Sequence, residues 1–445
     1  MLCLKRYALK NTAVLKRAQL DLKGIVQNSE KFRDSLVRRT PGVAATEPID
    51  FLINNRNRQL ELLSQIDQLR KRRNELGTQM KASPSDLLKQ ELSEIKTQIK
   101  PLEAKFAELD AAMYTTAESL PNLLDPGVPE DPDNGDIVEF INCLSEEDAE
   151  NSLPRTKYDH KDIAENLGIV DFKVALRISG SLWYYLLGDG ALLEQALVQY
   201  ALAKARKAGY TLVSPPSIVR NEVIHACGFK PKDQNGEKQV YDLADEQLSL
   251  TGTAEIPLGA LHSSLTIDKP VKYAGVSRLY RAEAGARGRD TKGLYRVHEF
   301  TKVELFHFTT TPEKAQQELE ELRQLQTEII TELGLKAKMI NMPTTDLGAP
   351  AMKKYDCEAW MPGRGNWGEL TSCSNCGDYQ ARRLGIKWVN SENESNPAMT
   401  LNGTAMAVPR VIVAIIEQFY DEALQSVIVP AVLRPFMGID RISKL

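Results

Sequence analysis

The sequence predicts an α+β protein in which an N-terminal antiparallel two-helix coiled-coil arm precedes a larger domain of strands and helices. Three observations predict it: two heptad runs separated by a short break, a proline-rich stretch that no helix can cross, and a cationic hairpin-like stretch in the second domain. The domains expected are residues 1–18 as a presequence, 19–120 with the arm, 121–136 as a linker and 137–445 as the larger domain.

Composition narrows the class. With 445 residues, 42% of them hydrophobic and 26% charged, the chain has room for two or three domains of ordinary soluble character. No apolar run approaches the roughly 20 residues that cross a bilayer, so no membrane partner is expected. A net charge of −4 leaves any nucleic-acid contact to local basic patches. The six cysteines, Cys3, Cys143, Cys227, Cys357, Cys373 and Cys376, follow no dense regular spacing and fit a reducing, intracellular compartment.

The first 20 residues hold Lys5, Arg6, Lys10, Lys16 and Arg17 and no acid, the composition of an amphipathic mitochondrial presequence. Next come the heptads. Leu62, Ile66, Leu69, Leu76 and Met80 follow alternating four- and three-residue steps when Arg73 is counted in the seam, and Leu88, Leu92, Ile95, Ile99, Leu102, Phe106, Leu109 and Met113 keep the pattern more strictly. Between them, Ser83 is expected to cap the second helix, with Pro84 at its first position and Asp86 completing a capping box. So short a turn makes the helices antiparallel neighbours, and helices of about 30 residues give an arm on the order of 45 Å long. Its charge is lopsided. Residues 56–89 carry eight bases and four acids, including Arg70, Lys71, Arg72 and Arg73, with Lys81 near the tip; residues 91–118 carry six acids and three bases. A coiled coil of this kind serves either as a dimerisation element or as a basic rod for a phosphate backbone, and the charge favours the rod.

LPNLLDPGVPEDPDNGD, with four prolines, breaks the helix and marks the boundary. Beyond it, residues 177–187 read as β-leaning; ALLEQALVQYALAKARKAGY reads as an amphipathic helix stopped at Gly209, leading into an apolar strand closed by Pro215 and Pro216. TGTAE follows a strand-like run at residues 247–250, and Thr253 and Glu255 suit a small polar ligand. Thr311-Pro312 opens and Gly334 closes a surface helix with no chemical signature.

The hairpin-like stretch, residues 280–305, alternates apolar residues around a loop punctuated by Gly285, Gly288 and Gly293. Residues 278–302 hold seven bases against three acids. Guanidinium forks suit phosphate oxygens, while Glu283 and Glu304 suit an amine. Cys373-Ser374-Asn375-Cys376 has half of a zinc spacing, but no second pair or nearby His completes four ligands, so no structural zinc is expected.

Arg281-Ala282-Glu283 with Arg296-Val297-His298-Glu299-Phe300 resembles the second signature motif of class II aminoacyl-tRNA synthetases, and RVHEFTKVE resembles the seryl-tRNA synthetases, bacterial or organellar type. TAE at 253–255, ELTSCSNC from Glu369 and LNGTAMAVPR ending at Arg410 resemble further motifs of that family in the same order. The resemblance implies a class II catalytic domain, an antiparallel β-sheet flanked by helices. It implies that ATP and Mg²⁺ serve to activate L-serine, which then passes to tRNA(Ser), and that the protein is a homodimer with no DNA partner. Arg281, Glu304 and Arg410 are then the expected catalytic residues. ATP falls to Arg281, Ala282, Glu283, Val297, Phe300, Glu369, Leu370, Thr371, Ser372 and Arg410, with Mg²⁺ at Glu369 and Ser372. Serine falls to Thr253, Ala254, Glu255, Arg281, Glu304, Asn402 and Thr404, and tRNA to Arg70, Lys71, Arg72, Arg73 and Lys81. The family's opening matches from about Leu20, so the basic residues ahead of it point to the mitochondrial matrix. The alternatives are a cytoplasmic seryl-tRNA synthetase, a paralogue without tRNA charging, and a coiled-coil RNA-binding protein.

Overall fold

A computed structural model describes residues 15, 18–42, 46–229, 239–244, 246–284 and 292–444. All but two residues of the expected presequence, and Gly285 and Gly288 of the hairpin loop, lie outside them. The chain divides into two compact units, Leu20–Leu123 and a second that includes Leu124–Leu445.

The first unit is helical: α1 Leu22–Gln27, α2 Ser29–Arg39, α3 Glu47–Ala82 and α4 Asp86–Ser119. At about 1.5 Å per residue, the 36 and 34 residues of α3 and α4 make a rod of about 50 Å. The heptad positions form its seam: Ile66, Leu76, Ile95 and Ile99 are buried, with Leu69, Leu88 and Leu92 packed against them. At its base, Ile49, Leu52 and Met113 are fully buried beside Ile25 and Leu36. Each such side chain contributes roughly 1.5–3 kcal/mol over an exposed one. The expected capping box does not form. Ser83 instead closes α3, its N–H donating to Gln79 O at 2.8 Å, and α4 begins after Ser85. Pro84, at the turn, keeps the preceding Ser83 extended, which ends the first helix before the second starts.

The second unit is built on an eight-stranded sheet. Its strands are β1 Asp136–Ile141, β2 Thr211–Val213, β3 Val271–Tyr280, β4 Glu299–Thr309, β5 Ala337–Asn341, β6 Lys353–Met361, β7 Asn366–Asn375 and β8 Met399–Ala407, in the spatial order β1-β5-β6-β7-β8-β4-β3-β2. All neighbours are antiparallel except β2, which lies parallel to β3 at one edge. The cationic stretch is a hairpin: Tyr280 pairs with Glu299 and Gly275 with Glu304. Strand alternation then sorts β4. Val303 and Leu305 join the main core, whereas Phe306 and Phe308 join a smaller core on the other face with Ile256, Leu258 and Leu384.

Among the unit's helices are α5 His160–Leu167, α6 Phe172–Ser179, α7 Asp189–Lys207, α8 Glu255–Gly259, α9 Pro312–Glu332, α10 Tyr379–Leu384 and α11 Val408–Phe419. Residues 177–179, expected to be β-leaning, finish α6, because Asp171 caps that helix through Val174 N at 2.8 Å; the strand that follows is only Tyr185–Leu186. Helix α7 ends as expected, with Gly209 at φ +87°. Thr311 caps α9, accepting from Lys314 N at 3.3 Å. That helix is not a mere surface insertion: Leu319, Leu322, Ile329 and Ile330 are buried in the main core, and Gln326 is 0% exposed.

Candidate active site

Pairing between β7 and β8 stops at Cys373↔Gly403, although both strands continue. The gap is bridged from α9, where Gln326 Nε2 donates to Ser372 O at 2.8 Å and to Thr404 O at 2.9 Å. Over this splay lie two cavities that share Arg281, Lys302, Ser372 and Thr404.

The first cavity is lined by Arg281, Glu283, Tyr295, Arg296, Val297, Phe300, Glu369, Leu370 and Arg410, among others. Cations and aromatic rings alternate around it. Arg281 sits 5.4 Å above the Phe300 ring and Arg410 4.9 Å from the Tyr295 ring. Arg281 Nε also donates to Gly252 O at 3.0 Å, and Arg296 pairs with Glu283 at 3.0 Å. Arg410 pairs with Glu369 at 2.8 Å. Burial pushes the Glu369 carboxyl up, but Arg410 and Lys354 together hold it well below the usual range, so it stays ionised. Glu283 holds φ +45°, a conformation that non-glycine residues adopt only when their surroundings enforce it.

The second cavity is lined by Thr253, Glu255, Glu304, Lys354, Ser374, Asn402 and Thr404, with Cys227 and Cys376. Its charges are mixed, with Glu255, Glu304 and Asp346 facing Arg281, Lys302 and Lys354. Glu304 is 2% exposed and ion-paired with Lys302, which also donates to Thr253 Oγ1 at 2.9 Å. Glu255 accepts from Gln380 Nε2 at 2.6 Å and Asn402 Nδ2 at 3.0 Å. Burial, and then the nearby Glu304 charge, push the Glu255 carboxyl up to about 7. Glu304 itself is raised by burial against the pull of Lys302. Two acids poised this way in a polar recess suit a small cation with hydroxyl or carboxyl functions.

Most sequence-derived site residues therefore converge on these cavities from three strands, β4, β7 and β8, two helix starts and the loops between. Ala254, Ala282 and Thr371 do not line them. Ala254 is fully buried before α8, and strand alternation turns Thr371 away from the face that Ser372 and Ser374 present. Tyr295, Arg296, Lys302, Lys354 and Gln380 were missed. Lys302 was findable, since it falls between Phe300 and Glu304 at the same two-residue step, and so was Arg296, which opens the quoted motif; Lys354 and Gln380 carry no local signal. Cys357 and Cys373 sit in the main core, and among the described residues no cluster of three or more His, Cys, Asp or Glu groups could hold a metal. In the arm, Arg70 and Arg72 are engaged across the seam, with Glu103 at 2.8 Å and Glu91 at 2.7 Å, while Lys71 and Lys81 are exposed and Arg73 is half-buried.

Residues 20–124 match the seryl-tRNA synthetase N-terminal domain, and residues 239–419 match the class II tRNA synthetase core domain shared by glycine, histidine, proline, serine and threonine enzymes. The mitochondrial serine–tRNA ligase of Saccharomyces cerevisiae is 43% identical over 439 residues, covering 96% of either chain. The chain belongs to the seryl-tRNA synthetases. A serine–tRNA ligase of Treponema denticola is 37% identical, covering 95% of this chain and all of that one. Among solved structures, the seryl-tRNA synthetase of Pyrococcus horikoshii complexed with ATP superposes with a TM-score of 0.88 at 34% identity, over 96% of this chain and 100% of that one. As a seryl-tRNA synthetase the chain is a class II enzyme that ligates serine to tRNA, with the antiparallel sheet and helical arm of that fold.

Proposed function

We propose that this enzyme activates L-serine with ATP between the two cavities and charges mitochondrial tRNA(Ser). The observation that carries the reading is the shared wall, in which Arg281, Lys302, Ser372 and Thr404 border both recesses. ATP occupies the cationic, aromatic one and serine the one that holds Glu255 and Glu304. The serine carboxylate attacks the α-phosphorus and pyrophosphate leaves; a hydroxyl of the 3′-terminal adenosine then attacks the seryl carbonyl of the adenylate and AMP leaves. Positioning and charge stabilisation carry such a reaction, so no nucleophilic side chain is required. Arg281 faces the α-phosphate and the serine carboxylate, Arg410 and Phe300 take the adenine between them, and Glu283 meets the adenine amine. Glu304 reads the serine hydroxyl and Glu255 its ammonium, with Thr253, Asn402 and Thr404 closing the recess.

Mg²⁺ fits the donor set. It favours one or two carboxylates plus substrate phosphates over an all-protein cage, and Glu369, kept ionised, and Ser372 offer hard oxygens beside the first cavity. When bound, it neutralises phosphate charge.

The exposed bases of the arm supply sequence-independent contacts to the tRNA backbone. Dimerisation is supported by apolar side chains left exposed on α6, the strand after it, the start of α7 and β2: Leu176 59%, Ile178 66%, Tyr185 42%, Leu192 37% and Leu212 44%. The basic, acid-free N-terminus and the likeness to a yeast mitochondrial enzyme support a mitochondrial site. Charging total organellar tRNA with labelled serine tests the reading. Label is expected on tRNA(Ser) alone, and deletion of residues 51–113 is expected to prevent charging; label on other tRNAs, or full charging without the arm, would refute it.

A further inference from the structure

Leu294 and Tyr295, just ahead of the hairpin's return strand, line the ATP cavity, and they are fastened by two residues that no signature motif includes. His160, in the first turn of α5, and Glu417, near the end of α11, have side chains 2% and 0% exposed. Glu417 Oε1 accepts from His160 N at 3.1 Å and His160 Nδ1 at 2.9 Å; Oε2 accepts from Gly363 N at 2.8 Å and Arg364 N at 3.2 Å. The other ring nitrogen, Nε2, faces the Leu294 N–H at 3.1 Å. A backbone amide only donates, so Nε2 is the acceptor, and the ring is neutral with its proton on Nδ1. The fit is close. Gly293 has φ +70°, and a Cβ there would lie 2.1 Å from His160 Nε2.

Both arms of this hub reach Tyr295. Leu294 is its neighbour in the chain, and Arg364, whose N–H Glu417 holds, lies 3.7 Å from the Tyr295 ring. Tyr295 in turn meets Arg410 at 4.9 Å, and its hydroxyl donates to Glu369 O at 3.4 Å. We propose that His160 and Glu417 are positioning residues for ATP: they touch no substrate, but set Tyr295, and through it Arg410, against the nucleotide. This rests on the assignment of the first cavity to ATP.

His160→Gln and His160→Asn divide the two functions of the ring. A glutamine can extend a carboxamide oxygen toward the Leu294 N–H, whereas the shorter asparagine reaches Glu417 and leaves that amide without its acceptor. In serine-dependent ATP–pyrophosphate exchange, the asparagine variant is expected to raise KM for ATP about tenfold, the effect of one lost buried hydrogen bond, with KM for serine within about twofold. The glutamine variant is expected to stay within about threefold for ATP. Equal effects of the two variants, or KM for serine moving as far as that for ATP, would mean a general structural role and overturn the proposal. Should the asparagine variant not fold by circular dichroism, Gly293→Ala, which presses a methyl group onto the imidazole, carries the same expectation. Arg410→Ala separates the two levels: if it leaves KM for ATP unmoved, the cavity assignment itself fails, and if it raises KM while the His160 variants do not, only the positioning role fails.

Discussion

Serine binding should weaken in mild acid, because Glu255 must give up a proton before it can hold an ammonium. With its carboxyl pushed up to about 7, Glu255 is half ionised at neutral pH. If only the ionised form binds serine, the apparent dissociation constant scales as one plus the ratio of protonated to ionised carboxyl. That factor is about 11 at pH 6, about 2 at pH 7 and about 1 at pH 8, so affinity falls roughly tenfold from pH 8 to pH 6. The sign follows from burial: the ligand-free fold favours the protonated acid, so its stability declines as pH rises from the ordinary 4.5 toward 7, and the serine ammonium opposes this by stabilising the anion. KM for serine in pyrophosphate exchange, measured at saturating ATP across pH 6–8, reads the slope. Glu255→Gln, which keeps the volume, should raise KM and flatten the profile. A wild-type KM that does not change with pH, or a glutamine variant with the same slope, would refute the reasoning.

Glu304→Ala is expected to abolish serine-dependent exchange while circular dichroism shows the fold intact; exchange near the wild-type rate would remove Glu304 from the serine recess. Gln326→Leu leaves two strand carbonyls without their bridging donor, at roughly 1–3 kcal/mol for each group left buried and unpaired, and should lower the urea midpoint and raise KM for both substrates. Lys71→Glu with Lys81→Glu should raise KM for tRNA and flatten its salt dependence without affecting serine activation; an unchanged salt slope would place the tRNA elsewhere. Light scattering is expected to report a dimer for the wild type and a monomer for Ile178→Asp; a wild-type monomer would refute the apolar contact.

What was legible in the sequence was whatever repeats or clusters locally. The arm is the clearest case, since every heptad position named, even half-buried Arg73, lies at or beside the seam. The hairpin was legible because alternation places Phe300 and Glu304 on one face, and the motif residues converge because their strands are neighbours in the sheet. What failed was local competition. Ser83 satisfies the capping pattern, but Pro84 holds it extended and makes it the end of α3. Residues 177–179 have strand-like composition, but the cap at Asp171 commits them to α6. Arg364, His160 and Gln326 were illegible for another reason: each acts on groups far away in the chain, and nothing in its immediate neighbours marks it.

Gln326 sets a scale that the motifs do not. Two strands that part in mid-sheet would ordinarily close up or admit water, yet here one carboxamide spans the opening and holds both edges within 3 Å of a single nitrogen. The width of the aperture beneath the two cavities is thereby fixed by the reach of one side chain from α9. Asparagine, a methylene shorter, would have to draw the helix inward or let one edge go. A helix that lines neither cavity thus acts as the gauge block for their separation, and drift in its packing would be felt as a change in the distance between the two recesses before any residue lining them had been substituted.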